Sequence, residues 1–224
     1  MALADLKTRS WYPVVYMFVV TAFFSAILIG FARLTRERVE ANQKLAVERA
    51  VLLALPIAIP PAASNAQVHE LYLKAIQAPP AGPPEQPYRL ERDRRVEAYA
   101  VPFEGRGFWD VIKGVIGIAA DRRTLTGIAF YQQRETPGLG AEITKPRFRD
   151  QFSTGKKRMA ETGPPLTFVP EGENTGPSEI NAITGATQTS VRLQRTLNEQ
   201  LTKWRKSEAA AEPGAAATDH EGDP

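Results

Sequence analysis

The sequence predicts an α+β protein carried on one N-terminal membrane-spanning helix. Three observations predict it: an uncharged apolar run from Tyr12 to Ala32, two β-prone runs around Asp121–Thr124, and a closing amphipathic stretch from Thr189 to Lys206. The first is long enough to cross a bilayer core of roughly 30 Å at the helical rise per residue. Trp11, Tyr12 and Tyr16 stand where an interfacial aromatic belt is expected, and Pro13 falls in the first turn, where a helix tolerates it. A cleaved signal peptide fits less well, because Arg33, Arg36 and Arg38 follow the run in place of a small-residue cleavage site.

The elements follow in order. Residues 1–11 form an N-terminal tail, 12–32 the transmembrane helix, and 33–89 a helical stalk and linker. Within that stretch Leu34–Leu55 is rich in Ala, Leu, Glu and Arg until Pro56, Pro60 and Pro61 stop it. Asn65–Ala78 reads as a short helix, with His69 an ordinary helix residue, and Pro79–Pro87 as a stiff, extended linker. A compact domain is expected over 90–206. In it Val96–Val101 alternates as a strand, Val111–Ala120 and Leu125–Tyr131 form a hairpin, and Pro165–Val169 is a short strand. Val191, Leu193, Leu197, Leu201 and Trp204 are apolar positions of the last helix. Residues 207–224, rich in Ala, Gly, Pro and Asp, are expected to be disordered.

Composition removes several kinds of chemistry. With no cysteine there are no disulfides, thiolate metal sites or iron–sulfur ligands, and His69 and His220 are too few for a haem or histidine-rich metal site. A net charge of +3 gives no broad footprint for nucleic acid. If this chain handles electrons, an organic cofactor must carry them. Basic residues flank both ends of the apolar run and acidic ones interleave with them, so charge alone leaves its orientation open.

Two segments stand out as candidate sites. Glu135-Thr136-Pro137-Gly138-Leu139-Gly140 holds two glycines and a proline, a composition that exposes backbone N–H groups to a ring or a phosphate. By spacing alone a plain turn is the simpler account. Asn181-Ala182-Ile183-Thr184-Gly185-Ala186-Thr187-Gln188-Thr189-Ser190 runs into the last helix. A helix start suits a phosphate, and Gly185 and Ala186 leave room for it. Thr187, Thr189 or Ser190 could equally be a simple cap.

In this order, and behind a membrane anchor, the two segments resemble the FMN-binding domain shared by the C subunit of the sodium-translocating NADH:quinone oxidoreductase and the G subunit of the Rnf electron-transport complex. The resemblance covers residues 96–206 and includes Gly105-Arg106-Gly107-Phe108-Trp109, the hairpin Gly114–Tyr131, Lys145-Pro146, Phe152 and Gly155-Lys156-Lys157. It implies a compact domain with a small antiparallel sheet and a C-terminal helix. It also implies that a flavin transferase esterifies the FMN phosphate to Thr187, with Thr184, Gly185 and Ala186 completing the attachment turn. Glu135, Thr136, Leu139 and Gly140 would line the isoalloxazine, with Trp109 and Lys157 contributing to the pocket. Where the family motif begins with Asp this chain has Asn181, which keeps an acceptor and loses the charge.

The resemblance further implies a single-pass inner-membrane protein with its flavin domain on the extracytoplasmic side, working beside other membrane redox subunits of an ion-translocating complex. No residue reads as a substrate acid, base or nucleophile, as expected of a relay subunit. An independent membrane-anchored flavoprotein and a non-redox tethered binding module are the alternatives.

Overall fold

The structure, a computed structural model, describes residues 11–60, 62–79, 86–153, 155, 157–173 and 176–211. The expected N-terminal tail up to residue 10, linker residues 80–85 and the expected tail from 212 onward lie outside the described residues. Helix α1 spans Tyr12–Ala54. Its most apolar 18-residue window has a mean hydropathy of 2.4 with none of it buried, so the helix is long and apolar enough to cross a membrane. Two units are distinguished, residues 1–44 and 45–224.

In the second unit, helix α2 (Asn65–Ala75) leads into a five-stranded antiparallel meander of β1 (Ile76–Gln77), β2 (Tyr88–Arg92), β3 (Arg95–Arg106), β4 (Val111–Ala119) and β5 (Leu125–Gln132). A 3₁₀ turn (Gly140–Thr144) and helix α3 (Pro146–Ser153) follow. Strands β6 (Thr167–Val169) and β7 (Glu179–Asn181) pair in parallel, and helix α4 spans Thr187–Ala211.

Alternation on β3 and β4 decides what each face of the sheet buries. Tyr99, Val101, Phe103, Ile112, Ile116 and Ile118 point to one side, where α3 adds Phe148 and Phe152 and α4 adds Leu193, Leu197, Leu201 and Trp204. The i, i+4 spacing of those leucines lays one face of α4 along the sheet. Ala98, Ala100, Val115 and Ala129 point to the other side, beneath Ala50–Leu52 and Ala54 of α1 and Val68 of α2. Those small side chains bring the end of α1 very close. Thr126 Oγ1 donates to the Ala54 carbonyl at 2.7 Å, and an ideal Cβ on Gly117 would lie 1.9 Å from that same oxygen.

Residues expected to be stalk thus cover the second face of the sheet, and Ile76–Gln77 joins its edge. The reason is the packing of small residues on β3–β5, which no local pattern reveals. Helix α4 also runs through Ser207–Ala211, where a disordered tail was expected. Alanine is the best helix former, and Glu208 pairs with Arg122 at 3.2 Å.

Strand β6 is aligned by helix side chains. Asn198 accepts from Leu166 N–H and donates to its carbonyl, both at 2.8 Å, and Gln194 accepts from Phe168 N–H at 2.9 Å. That alignment places β7, and hence the segment entering α4.

The β4–β5 turn is closed by Asp121, which accepts from Arg123 N–H (2.9 Å), Thr124 N–H (2.8 Å) and the Thr124 hydroxyl. Burial pushes its carboxyl up, but the bonds from Thr124 and Arg123, with Arg158 nearby, hold it below its ordinary value. A depressed carboxyl pKa stabilises the fold above the unfolded value and loses that contribution as pH falls through the folded one. Asp121→Ala is therefore expected to lower stability by about 1 kcal/mol at neutral pH, with the difference shrinking on acidification through the carboxylate range. Urea unfolding at two pH values checks it.

Candidate flavin site

The two glycine-containing segments form the same local device. In Thr136-Pro137-Gly138-Leu139 the Leu139 N–H donates to the Thr136 carbonyl at 3.1 Å, and Gly138 has φ +74°. In Ile183-Thr184-Gly185-Ala186 the Ala186 N–H donates to the Ile183 carbonyl at 3.1 Å, and Gly185 has φ +78°. Each is a turn whose third residue needs the left-handed region, which glycine enters without strain.

Glu135 ties the two turns together. Its side chain is 5% exposed, and its Oε2 accepts from the Thr189 hydroxyl on α4 at 2.6 Å. Its Oε1 accepts from the Trp109 N–H at 3.1 Å, while the Trp109 indole Nε1 donates to Thr136 Oγ1 at 3.0 Å. Gly140 permits this closeness: a Cβ there would lie 2.5 Å from Thr189 Oγ1 and 2.7 Å from Glu135 Oε2.

The hydroxyls between Thr184 and Ser190 have separate fates. Thr184 donates to Glu171 Oε2 at 2.6 Å, Thr189 is held by Glu135, and Ser190 Oγ accepts from Ile183 N–H at 3.2 Å. The Thr184 bond, opposed by a smaller desolvation effect and assisted by Arg147, holds the Glu171 carboxyl below its ordinary value. Thr187 is exposed, and its hydroxyl has no partner among the described residues. None of the three candidate hydroxyls caps α4. The first helical bond runs from Ser190 N–H to the Ala186 carbonyl at 3.0 Å, which leaves Ala186 in the cap position with no side-chain acceptor among the described residues for the first-turn N–H groups.

A cavity of about 320 Å³ opens between the turns, lined by both segments together with Phe108, Trp109, Gln188 and Thr189. Its rim is apolar: Phe108 and Trp109 meet edge to face with centroids 5.0 Å apart, and Leu139 remains 43% exposed beside them.

Residues 107–202 match the FMN-binding domain family. The chain is 34% identical over 113 residues to the Na(+)-translocating NADH-quinone reductase C subunit of Vibrio alginolyticus, covering 50% of this chain and 44% of that protein. It is 37% identical over 105 residues to the protein of that name from Pasteurella multocida, covering 46% and 40%. The match thus spans less than half the length of these curated relatives. The fold is that of the corresponding C subunit from Parabacteroides distasonis, with a TM-score of 0.63 at 22% identity over 76% of this chain and 95% of that one. NqrC of Shewanella oneidensis gives a TM-score of 0.57 at 19% identity, over 75% and 99%.

Within the residues matched to that family, the structure brings Trp109, Glu135, Thr136, Leu139, Gly140, Gly185, Ala186 and Thr187 to one cavity. Thr184 instead lines a neighbouring cavity of about 680 Å³, with Glu171 and Asn181. Lys157 does not line the first cavity; it is buried, with Nζ donating to the Gly176 carbonyl at 2.9 Å. Asn181 Oδ1 accepts from Gly172 N–H at 3.2 Å, a contact that needs an acceptor and no charge. Sequence reasoning did not place Phe108, Gln188 and Thr189 in the pocket; adjacency to Trp109 and to Thr187 was the available signal.

Proposed function

We propose that this chain is a membrane-anchored electron carrier whose FMN is joined through its phosphate to Thr187. The observation that carries this reading is the fate of the hydroxyls: Thr184, Thr189 and Ser190 are engaged within the protein, whereas Thr187 is exposed on the cavity wall. Ala186 at the cap position leaves the first-turn N–H groups of α4 to receive phosphate oxygens. Phe108, Trp109 and Leu139 supply apolar surface for a planar ring. FMN held there would supply redox chemistry that couples two-electron donors to one-electron acceptors. In attachment the Thr187 oxygen bonds to the FMN phosphorus of FAD as the diphosphate breaks. AMP leaves, and a flavin transferase takes the hydroxyl proton.

The matched C subunits of Na(+)-translocating NADH-quinone reductase support a place beside other subunits of such a complex; an Rnf-type complex, α1 in the inner membrane and the flavin domain on its extracytoplasmic side belong to the same proposal. Asn181, where the family motif begins with Asp, favours one further reading, an independent anchored flavoprotein serving another respiratory assembly. Co-purification distinguishes the two: stable membrane partners are expected, and a monomer that reduces a soluble acceptor unaided supports the second. A reporter fused after Pro224 should be active only outside the cytoplasm; cytoplasmic activity would reverse the orientation.

The linkage is tested by intact mass of the chain produced with and without a flavin transferase, then peptide mapping. One FMN adduct on the peptide containing Thr187 is expected. An adduct elsewhere, or none, overturns it.

A further inference from the structure

We propose that Glu135 is a positioning residue whose buried charge sets the flavin's reduction potential low. The proposal rests on the reading of Thr187 as the flavin attachment point. Both carboxyl oxygens accept from protein donors, Oε1 from Trp109 N–H at 3.1 Å and Oε2 from the Thr189 hydroxyl at 2.6 Å. Only acceptors are used, as an ionised carboxylate requires. Neither donor brings a positive charge, and among the described residues no Lys or Arg forms an ion pair with Glu135. Arg192, on the same helix as Thr189, spends its guanidinium on the Gly107 carbonyl at 3.1 Å.

The space around the carboxylate is kept by two glycines. A Cβ on Gly107 would lie 2.4 Å from Oε1, and one on Gly140 would lie 2.7 Å from Oε2. Among the described residues the carboxyl group is therefore held in the wall of the cavity, at 5% exposure, by uncharged donors alone. Burying such a charge is costly, and packing alone would be served better by an apolar side chain.

Its effect on a ring in that cavity follows from charge. Reduction adds two electrons from the carrier's redox donor, with protons from solvent, so any electron not matched by a proton adds negative charge beside the carboxylate. Repulsion across a poorly screened wall disfavours that addition and lowers the potential. The same carboxylate joins Trp109, on the β3–β4 connection, to Thr189 at the start of α4, so it also holds the ring's apolar wall in register with the attachment turn.

Spectroelectrochemical titration of the full-length flavinylated chain tests this with two substitutions. Glu135→Gln keeps the volume and one acceptor and removes the charge. At a fixed potential the ratio of reduced to oxidised flavin should rise roughly tenfold, an upward shift of about 30 mV for a two-electron couple. Thr189→Val keeps the charge and removes one hydrogen bond to it, so it should shift the potential downward. A merely structural role predicts no shift, or the same direction in both variants, and either result overturns the proposal. If Glu135→Gln loses its flavin, Thr189→Val decides: a downward shift supports the proposal and any other result overturns it. An unsubstituted chain that takes up no flavin overturns the Thr187 reading and this proposal together, whereas a flavinylated chain whose potential ignores Glu135 overturns this one alone.

Discussion

Thr187→Ala should produce a folded chain with no covalent flavin, a complete loss read directly by intact mass and by in-gel fluorescence. Thr187 is exposed at the first position of α4, and its hydroxyl holds nothing among the described residues. Its removal should therefore change stability by no more than about 0.5 kcal/mol. Thr187→Ser keeps a hydroxyl at the same place and should retain the adduct. Thr184→Ala should also retain it, because the Thr184 hydroxyl is turned to Glu171. Equal thermal unfolding of the Thr187→Ala and parent chains, both made without transferase, separates lost chemistry from lost fold. An adduct that persists in Thr187→Ala would move the linkage to another hydroxyl.

Gly117→Ala should be the most damaging single change to the sheet. The added Cβ would lie 1.9 Å from the Ala54 carbonyl oxygen and 2.2 Å from Thr126 Oγ1. Neither neighbour can yield easily: the first is backbone at the end of α1, and the second is donating to that same carbonyl. Relief requires the last turn of α1 to lift from β4 and β5, exposing Leu52 and Ala54, which are fully buried. A cost of about 3 kcal/mol is expected, at the upper end for overpacking a core position. Denaturant unfolding of the purified chain measures it. Gly163→Ala is a useful contrast: nothing lies within 4 Å of its Cβ, and only its φ of +77° opposes the substitution, for about 1 kcal/mol.

Much of the meander was legible because its signals are local. The hairpin of β4 and β5 was expected from two apolar runs around Asp121–Thr124 and is found at Val111–Ala119 and Leu125–Gln132. Helix α4 was expected from its leucine spacing, and those leucines are its buried face. Strands β2 and β7 were not anticipated: Arg89, Glu91 and Arg92 leave β2 with little apolar signal, and β7 has only three residues. They exist because β3 offers an edge and because β6 is already aligned by Asn198 and Gln194.

The candidate site divides in the same way. Pro137-Gly138 and Thr184-Gly185 read as turns because proline and glycine restrict or free the backbone wherever they stand. That a phosphate could suit the start of α4 was likewise readable, as was the apolar span from Tyr12 to Ala32. Sequence alone could not choose among Thr187, Thr189 and Ser190 as caps, nor find the end of α1 beneath the sheet. Two of those outcomes depend on partners far along the chain, Glu135 for Thr189 and Thr126 for Ala54, while Ser190 is taken by Ile183 across the turn before α4. Hydrogen bonds and close packing across such separations are made only when the sheet brings the groups within about 3 Å. The sequence by itself determined the longer elements and the chemistry available at each turn, and tertiary structure decided the short strands and which hydroxyl was left free to use that chemistry.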